Sequence, residues 1–291
     1  MKAVQILHSN PTLGYVTPAG ERAWNWVRQL MAFIVIAAIL LPIAWIMLTA
    51  FKLPREVYSL DNALWFTPTL ENLATIFQHP WNLGSKLLNS LMVAGSTVLI
   101  AMPLALCSAY AFSRFEFACK QPLFLAIIAS QFIPAAVVVL PYFVMFKELG
   151  WLDTRSALVI VNLSIVLPYA VWMIKGFIDA VPLEMEESAM VDGASRLRVL
   201  WQMVVPTAMP GVITAAVFSF TLTWNEFLFA LILTKQDALT LPIGLIGFRT
   251  ERGDLWELMA AAGMIITVPM ILISLAVHKQ FIGSLTAGST K

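Results

Sequence analysis

Charge is scarce in this chain. Asp, Glu, Lys and Arg make up 12% of its 291 residues, against roughly 25% in an average soluble domain. The net balance is +1, whereas a phosphate-binding surface shows as a large basic excess, so no nucleic-acid partner is expected. Cysteine is almost absent: Cys107 lies in an apolar run and Cys119 in a short polar loop, with no His or Cys at ligand spacing. That excludes a disulfide framework and a structural zinc site. His8, His79 and His278 are scattered along the chain, so no metal centre is expected from them. Also missing are an HExxH pair, a GxSxG elbow and a pair of carboxylates converging within an apolar stretch, which leaves no frame for hydrolytic chemistry.

What is present is hydrophobic sequence, 59% of the chain, the composition of a protein that lives in a bilayer. Apolar stretches long enough to cross a hydrocarbon core, which takes about 20 residues, the fifth of them running past Glu226, predict six spans at approximately 29–51, 87–112, 122–146, 156–176, 210–233 and 258–278. The fold class is therefore all-α integral membrane protein, with a lead-in over 1–28, a membrane domain over 29–279 and a tail over 280–291. No small-residue cleavage site follows the first span, so it is expected to be retained. The excursion from Lys52 to Lys86 carries Tyr58, Trp65, Phe66, Phe77 and Trp81 and is long enough to cap a channel mouth. An even number of spans puts both termini on one side. Ten Lys and Arg on the termini and even-numbered loops against eight on the other loops leave that side undecided. Ala101, Ala105 and Ala109 recur every four residues, a pattern that lets a neighbouring helix approach closely. Prolines at 42, 103, 134, 141, 168 and 269 fall inside spans and favour a bundle around a changing cavity.

One segment departs from all this. Asp179 to Pro206 carries Asp179, Glu184, Glu186, Glu187, Asp192, Arg196 and Arg198. Pro182 suits a first helical turn, and the acids after it suit the positive end of the helix dipole. A helix is expected from Pro182 to about Asp192, with Gly193 as its left-handed stop and Ser195 as the cap of a second helix. Leu197, Leu200, Trp201 and Val204 form one apolar stripe on that second helix, which Pro206 is expected to end. On periodicity alone, such a helix lies on the lipid surface.

The register adds more. Glu187, Ser188 and Ala189 are followed after three residues by Gly193 and after nine more by Met203, with Val205 and Pro206 closing the pattern. This resembles the EAA loop of the membrane subunits of binding-protein-dependent ABC importers, departing from it at Ser188, Met203 and Val205 by residues of similar bulk. LGWLDT (149–154), Pro168, WNEF (224–227), TLPIGL (240–245) and QFIGSLTAG (280–288) are similar to the carbohydrate, maltose-type permeases. The resemblance implies a type I importer permease in a bacterial inner membrane, with six spans and cytoplasmic termini. Its partners would be two copies of an ABC ATPase subunit, a second related permease and an extracytoplasmic solute-binding protein. No cofactor would be bound by this chain; ATP and Mg would sit on the ATPase subunits. Glu186, Glu187, Ser188, Ala189, Asp192, Gly193, Ala194 and Pro206 would form the contact with that ATPase. The tail resembles a P-loop only in two glycines five apart, with Ser289 where its lysine belongs.

For a sugar path, amides and acids near membrane depth are the natural lining: Asn89, Gln131, Asn162, Asn225 and Glu226. Glu226 is otherwise a buried polar knot. The same class with glycerol phosphate or another polar metabolite as cargo remains open. A stand-alone carrier would show internal repeats or paired broken helices, and the sequence displays neither.

Overall fold

The computed structural model describes residues 18–59, 64–251 and 253–287, so most of the expected lead-in and the end of the tail lie outside the described residues. The chain divides into two units, Met1–Thr49 and Ala50–Lys291. The described residues of the first form a single helix, α1 (Pro18–Thr49), with Pro42 inside it. In the second, short helices α2 (Pro54–Val57) and α3 (Glu71–Thr75) lead into α4 (Leu83–Arg114). Then come α5 (Lys120–Ala129), α6 (Ala135–Glu148), α7 (Arg155–Asp179), α8 (Leu183–Val191) and α9 (Arg196–Val199). The remainder is α10 (Val205–Trp224), α11 (Leu228–Leu233), α12 (Leu241–Ile246), a two-residue hairpin β1 (Arg249–Thr250) and β2 (Gly253–Asp254), and α13 (Trp256–Ala287). Five helices among the described residues are long and apolar enough to cross a bilayer, or six if α5 and α6 count as one bent span.

α4 and α7 run side by side in the same direction. Arg155 at the start of α7 donates to Asn89 near the start of α4 (2.7 Å), and Ser113 at the end of α4 donates to Asp179 at the end of α7 (2.6 Å). Close approach is possible because α4 presents small residues: Ala94, Ala101, Ala105 and Ala109 are all fully buried. α10 packs against both, with Val205, Ala208 and Ala215 sharing a core with Ala105, Ala109, Ala170 and Ile174. At Gly211 the approach is closest, since a Cβ there would overlap the Phe177 ring.

Two expected spans are not single helices. The stretch 122–146 breaks at a 3-10 turn, Ser130–Phe132, and α5 and α6 meet at 94°. Pro134 disfavours helical backbone at Ile133, whose ψ is 118°, and has no N–H to continue the ladder. The stretch 210–233 ends as a helix at Trp224 and resumes as α11. At Pro206, where the sequence predicts a helix end, the helix instead continues. Arg196–Trp224 is one continuous 29-residue span, because a π-turn over Leu200–Val204 places the Val205 N–H on Leu200 O, and Pro206 falls where the ladder changes register. A proline without an N–H is tolerated at such a junction.

Candidate functional site

The polar segment folds as two short helices about a glycine joint. α8 begins and ends one residue inside the expected bounds. Its C-terminus is a Schellman turn: Ala194 N–H bonds to Ala189 O (3.0 Å) and Gly193 N–H to Met190 O (3.1 Å). Gly193 has φ +89°, and a Cβ there would meet nothing nearby, so glycine is required by backbone conformation and not by space. Ala189, Met190 and Ala194 pack on the core formed by α4, α7 and α10. The alanine-to-glycine spacing in the sequence is therefore the spacing of this turn. Ser195 caps α9 by accepting from Arg198 N–H (3.3 Å).

The adjacent glutamates do different things. Glu186 is 2% exposed and faces inward. Its Oε1 accepts from Arg114 Nε (2.6 Å) and its Oε2 from the Tyr110 hydroxyl (3.0 Å). Arg114 Nη2 also donates to the carbonyls of Ile178 (2.9 Å) and Val181 (2.8 Å). Asp179 accepts from Ser113 and pairs with Lys175 at 2.6 Å, and Arg196 lies over the Phe115 ring. Glu187 is exposed and has no hydrogen-bond or ion-pair partner among the described residues. Ser188, Asp192 and Pro206 are also exposed. The apolar stripe expected on the second helix divides: Leu200 and Val204 are buried, together with Val199, Val205 and Ala208, while Leu197 and Trp201 are open. The π-turn rotates the buried face away from the simple α-helical repeat. Val191, 88% exposed, Leu197, 65%, and Leu183 thus add apolar surface to this polar loop.

Sequence reasoning missed Arg114, Tyr110 and Ser113. Arg114 is visible only as the charge that ends an apolar run, and nothing in the spacing links it to a glutamate 72 positions on.

The opposite ends of α4 and α7 hold a second polar cluster. Asp153, in a left-handed conformation (φ 58°), accepts from four successive backbone N–H groups, Lys235, Gln236, Asp237 and Ala238, at 2.9–3.1 Å. Asn89 donates to the carbonyls of Asp237 and Leu239, and Ser90 accepts from Leu241 N–H. Burial pushes the Asp153 carboxyl up, but the four N–H donors outweigh it and hold it below its ordinary value of 3.8. A depressed carboxyl stabilises the fold fully above the unfolded value and ceases to do so as pH falls through the folded value. Amide exchange over 235–238 is accordingly expected to be faster in Asp153→Asn than in the unaltered chain at pH 7. The difference should vanish at a pH below the depressed value; equal exchange at pH 7 would show that the carboxylate does not hold the loop.

The five residues expected along a path occupy different settings in the described structure. Asn89 is buried and its amide is fully engaged in the cluster just described. Asn162 is buried on α7 and donates to Leu158 O. Glu226 lies just beyond the end of α10, and its carboxylate accepts from Phe229 N–H (2.7 Å) and Ala230 N–H (3.0 Å) in the first turn of α11. The break that WNEF creates is what makes room for these bonds. Gln131 and the exposed Asn225 stand at the two helix breaks.

Helices long and apolar enough to cross a bilayer, joined by this polar two-helix loop, make a multi-pass helical membrane protein. Residues 101–284 match the family described as binding-protein-dependent transport system inner membrane component, and the chain belongs to that family. It is 30% identical over 275 residues to the diacetylchitobiose uptake system permease protein DasC of Streptomyces coelicolor, covering 93% of this chain and 97% of that protein. It is 29% identical over 255 residues to the trehalose/maltose transport system permease protein MalG of Thermococcus litoralis, covering 87% and 91%. Its fold matches a chain of a bacterial ABC transporter involved in the import of the acidic polysaccharide alginate, with TM-score 0.73, 18% identity and coverage of 89% and 96%.

Proposed function

We propose that this chain is the permease subunit of an ATP-driven importer for a sugar or sugar derivative, delivered by an extracytoplasmic binding protein. The observation that carries the reading is the exposed, unpartnered face of α8, with Glu187 and Val191 on a rigid glycine-stopped helix in the EAA register. A lipid-surface helix would turn a continuous apolar stripe outward; here Leu200 and Val204 of the second helix's stripe are buried, and on α8 Glu187 stands exposed. The relatives named for diacetylchitobiose and for trehalose and maltose support the cargo class.

In this reading α8 docks into a groove of an ABC ATPase subunit, with two copies of that subunit serving this chain and a second, related permease. ATP and Mg are held by the ATPase pair. The termini and the α8 loop face the cytoplasm, and the Asp153 cluster faces outward toward the binding protein. Glu187 makes a charge-assisted hydrogen bond to the ATPase, a contact worth about 1.5–3 kcal/mol, which is roughly ten- to a hundredfold in attachment. Glu187→Lys is expected to lower retention of the ATPase subunit on affinity-purified complex by that factor while the permease melts unchanged. Full retention of the ATPase by this variant would remove Glu187 from the contact.

A further inference from the structure

Resting on that reading, we propose that Arg114 is the positioning residue through which the α8 contact is locked to α4 and α7, so that signals pass between the two faces of the membrane along this helix pair. The docking face itself, Glu187 and its neighbours, only attaches the chain to its partner. Something must keep α8 from hinging freely when the partner moves, because Gly193 on one side and the Ala180–Pro182 linker on the other are its only covalent connections.

Arg114 occupies the point where four segments meet. It is the last residue of α4; its Nε pairs with Glu186 on α8; and its Nη2 bonds the carbonyls of Ile178, on the last turn of α7, and Val181, in the linker. Nη1 reaches Ser113, which in turn holds Asp179. Only a planar fork with several donors at fixed angles serves a carboxylate and two carbonyls together; a lysine ammonium has three donors at one point and cannot span them. Both partners of the ion pair are withdrawn from water, with side chains 10% and 2% exposed, so the contact is not screened as a surface pair is.

The far ends of the same two helices are tied just as firmly. Arg155 at the start of α7 bonds Asn89 on α4, Asn89 bonds Asp237 and Leu239, and Asp153 captures 235–238. Between those ends α4 and α7 are unbroken, as is the span Arg196–Trp224, whereas the α5–α6 stretch is bent by 94°. Displacement of α8 is therefore handed through Arg114 to α4 and α7, a helix pair that reaches the opposite loop without a break. Coupling of this kind is established by an energetic readout and not by proximity.

The readout is the stimulation of ATP hydrolysis by the native binding protein, measured on complex purified in nanodiscs, since that stimulus must cross from one face to the other. Arg114→Lys keeps the charge but loses the fork; Arg114→Met keeps the length and loses both. The expected result is full ATPase content in the Arg114→Lys complex with stimulation reduced severalfold, and, in the assembled fraction of Arg114→Met, which is less stable because Glu186 is left buried without its partner, stimulation abolished. Unaltered stimulation in fully assembled Arg114→Met complex overturns the proposal. Loss of the ATPase subunit from both variants also overturns it, because Arg114 then serves only to fold the docking helix. If the unaltered chain itself purifies without an ATPase subunit, the functional reading fails instead, which is a different outcome.

Discussion

Glu186→Ala is expected to destabilise the chain by about 3–5 kcal/mol, the usual cost of removing one partner from a buried ion pair, while Glu187→Ala stays within about 0.5 kcal/mol. The two residues are adjacent and chemically identical, so the difference lies wholly in what surrounds them. Removing Glu186 leaves the guanidinium of Arg114 without its counter-charge and the Tyr110 hydroxyl without its acceptor, both in a site closed to water. Removing Glu187 exposes nothing and breaks no bond described here. Thermal melting of the purified permease in detergent separates them: a large drop for the first and none for the second. Equal shifts would mean that the inward and outward faces of α8 are wrongly assigned.

The second large effect is expected at Gly211, where α10 crosses α7. Any Cβ at this position enters the Phe177 ring, and because the helices are held together along their length the backbone cannot simply step back. Overpacking of this kind costs about 1–3 kcal/mol, and Gly211→Val should lie at or above the top of that range. Phe177→Ala removes the obstacle, so the double variant Gly211→Val/Phe177→Ala should be less destabilised than the sum of the singles by about 1–3 kcal/mol, as coupled neighbours are. Strictly additive melting shifts would contradict the close contact.

The sequence was most informative where a local rule decides the structure. Gly193 could be read as a left-handed stop, Ser195 as a cap and Ala101, Ala105 and Ala109 as a tight helix face, because each depends on its near neighbours alone. It was least informative where a distant partner or a change of helical register decides. Pro206 reads as a terminator until the π-turn before it removes the need for its N–H. Glu226 reads as an acid stranded in a span until the chain breaks beside it and gives it two N–H donors. Pro134, one of many prolines in apolar sequence, is the one that bends its span by nearly a right angle. Arg114 was silent because its partners come from α7 and α8, and no spacing rule connects them. The EAA register singles out the segment proposed as the docking element, but it puts Glu186 and Glu187 on the same footing, although one is buried and the other exposed.

The claim that α8 is the contact for a soluble ATP-driven subunit is tested most directly by placing a photo-activated cross-linking residue at Val191, 88% exposed at the end of that helix, and irradiating native membranes. Adducts between this chain and an ABC ATPase subunit, identified by mass spectrometry, are the predicted result. Adducts with lipid alone would contradict it and return the segment to an amphipathic loop on the membrane surface.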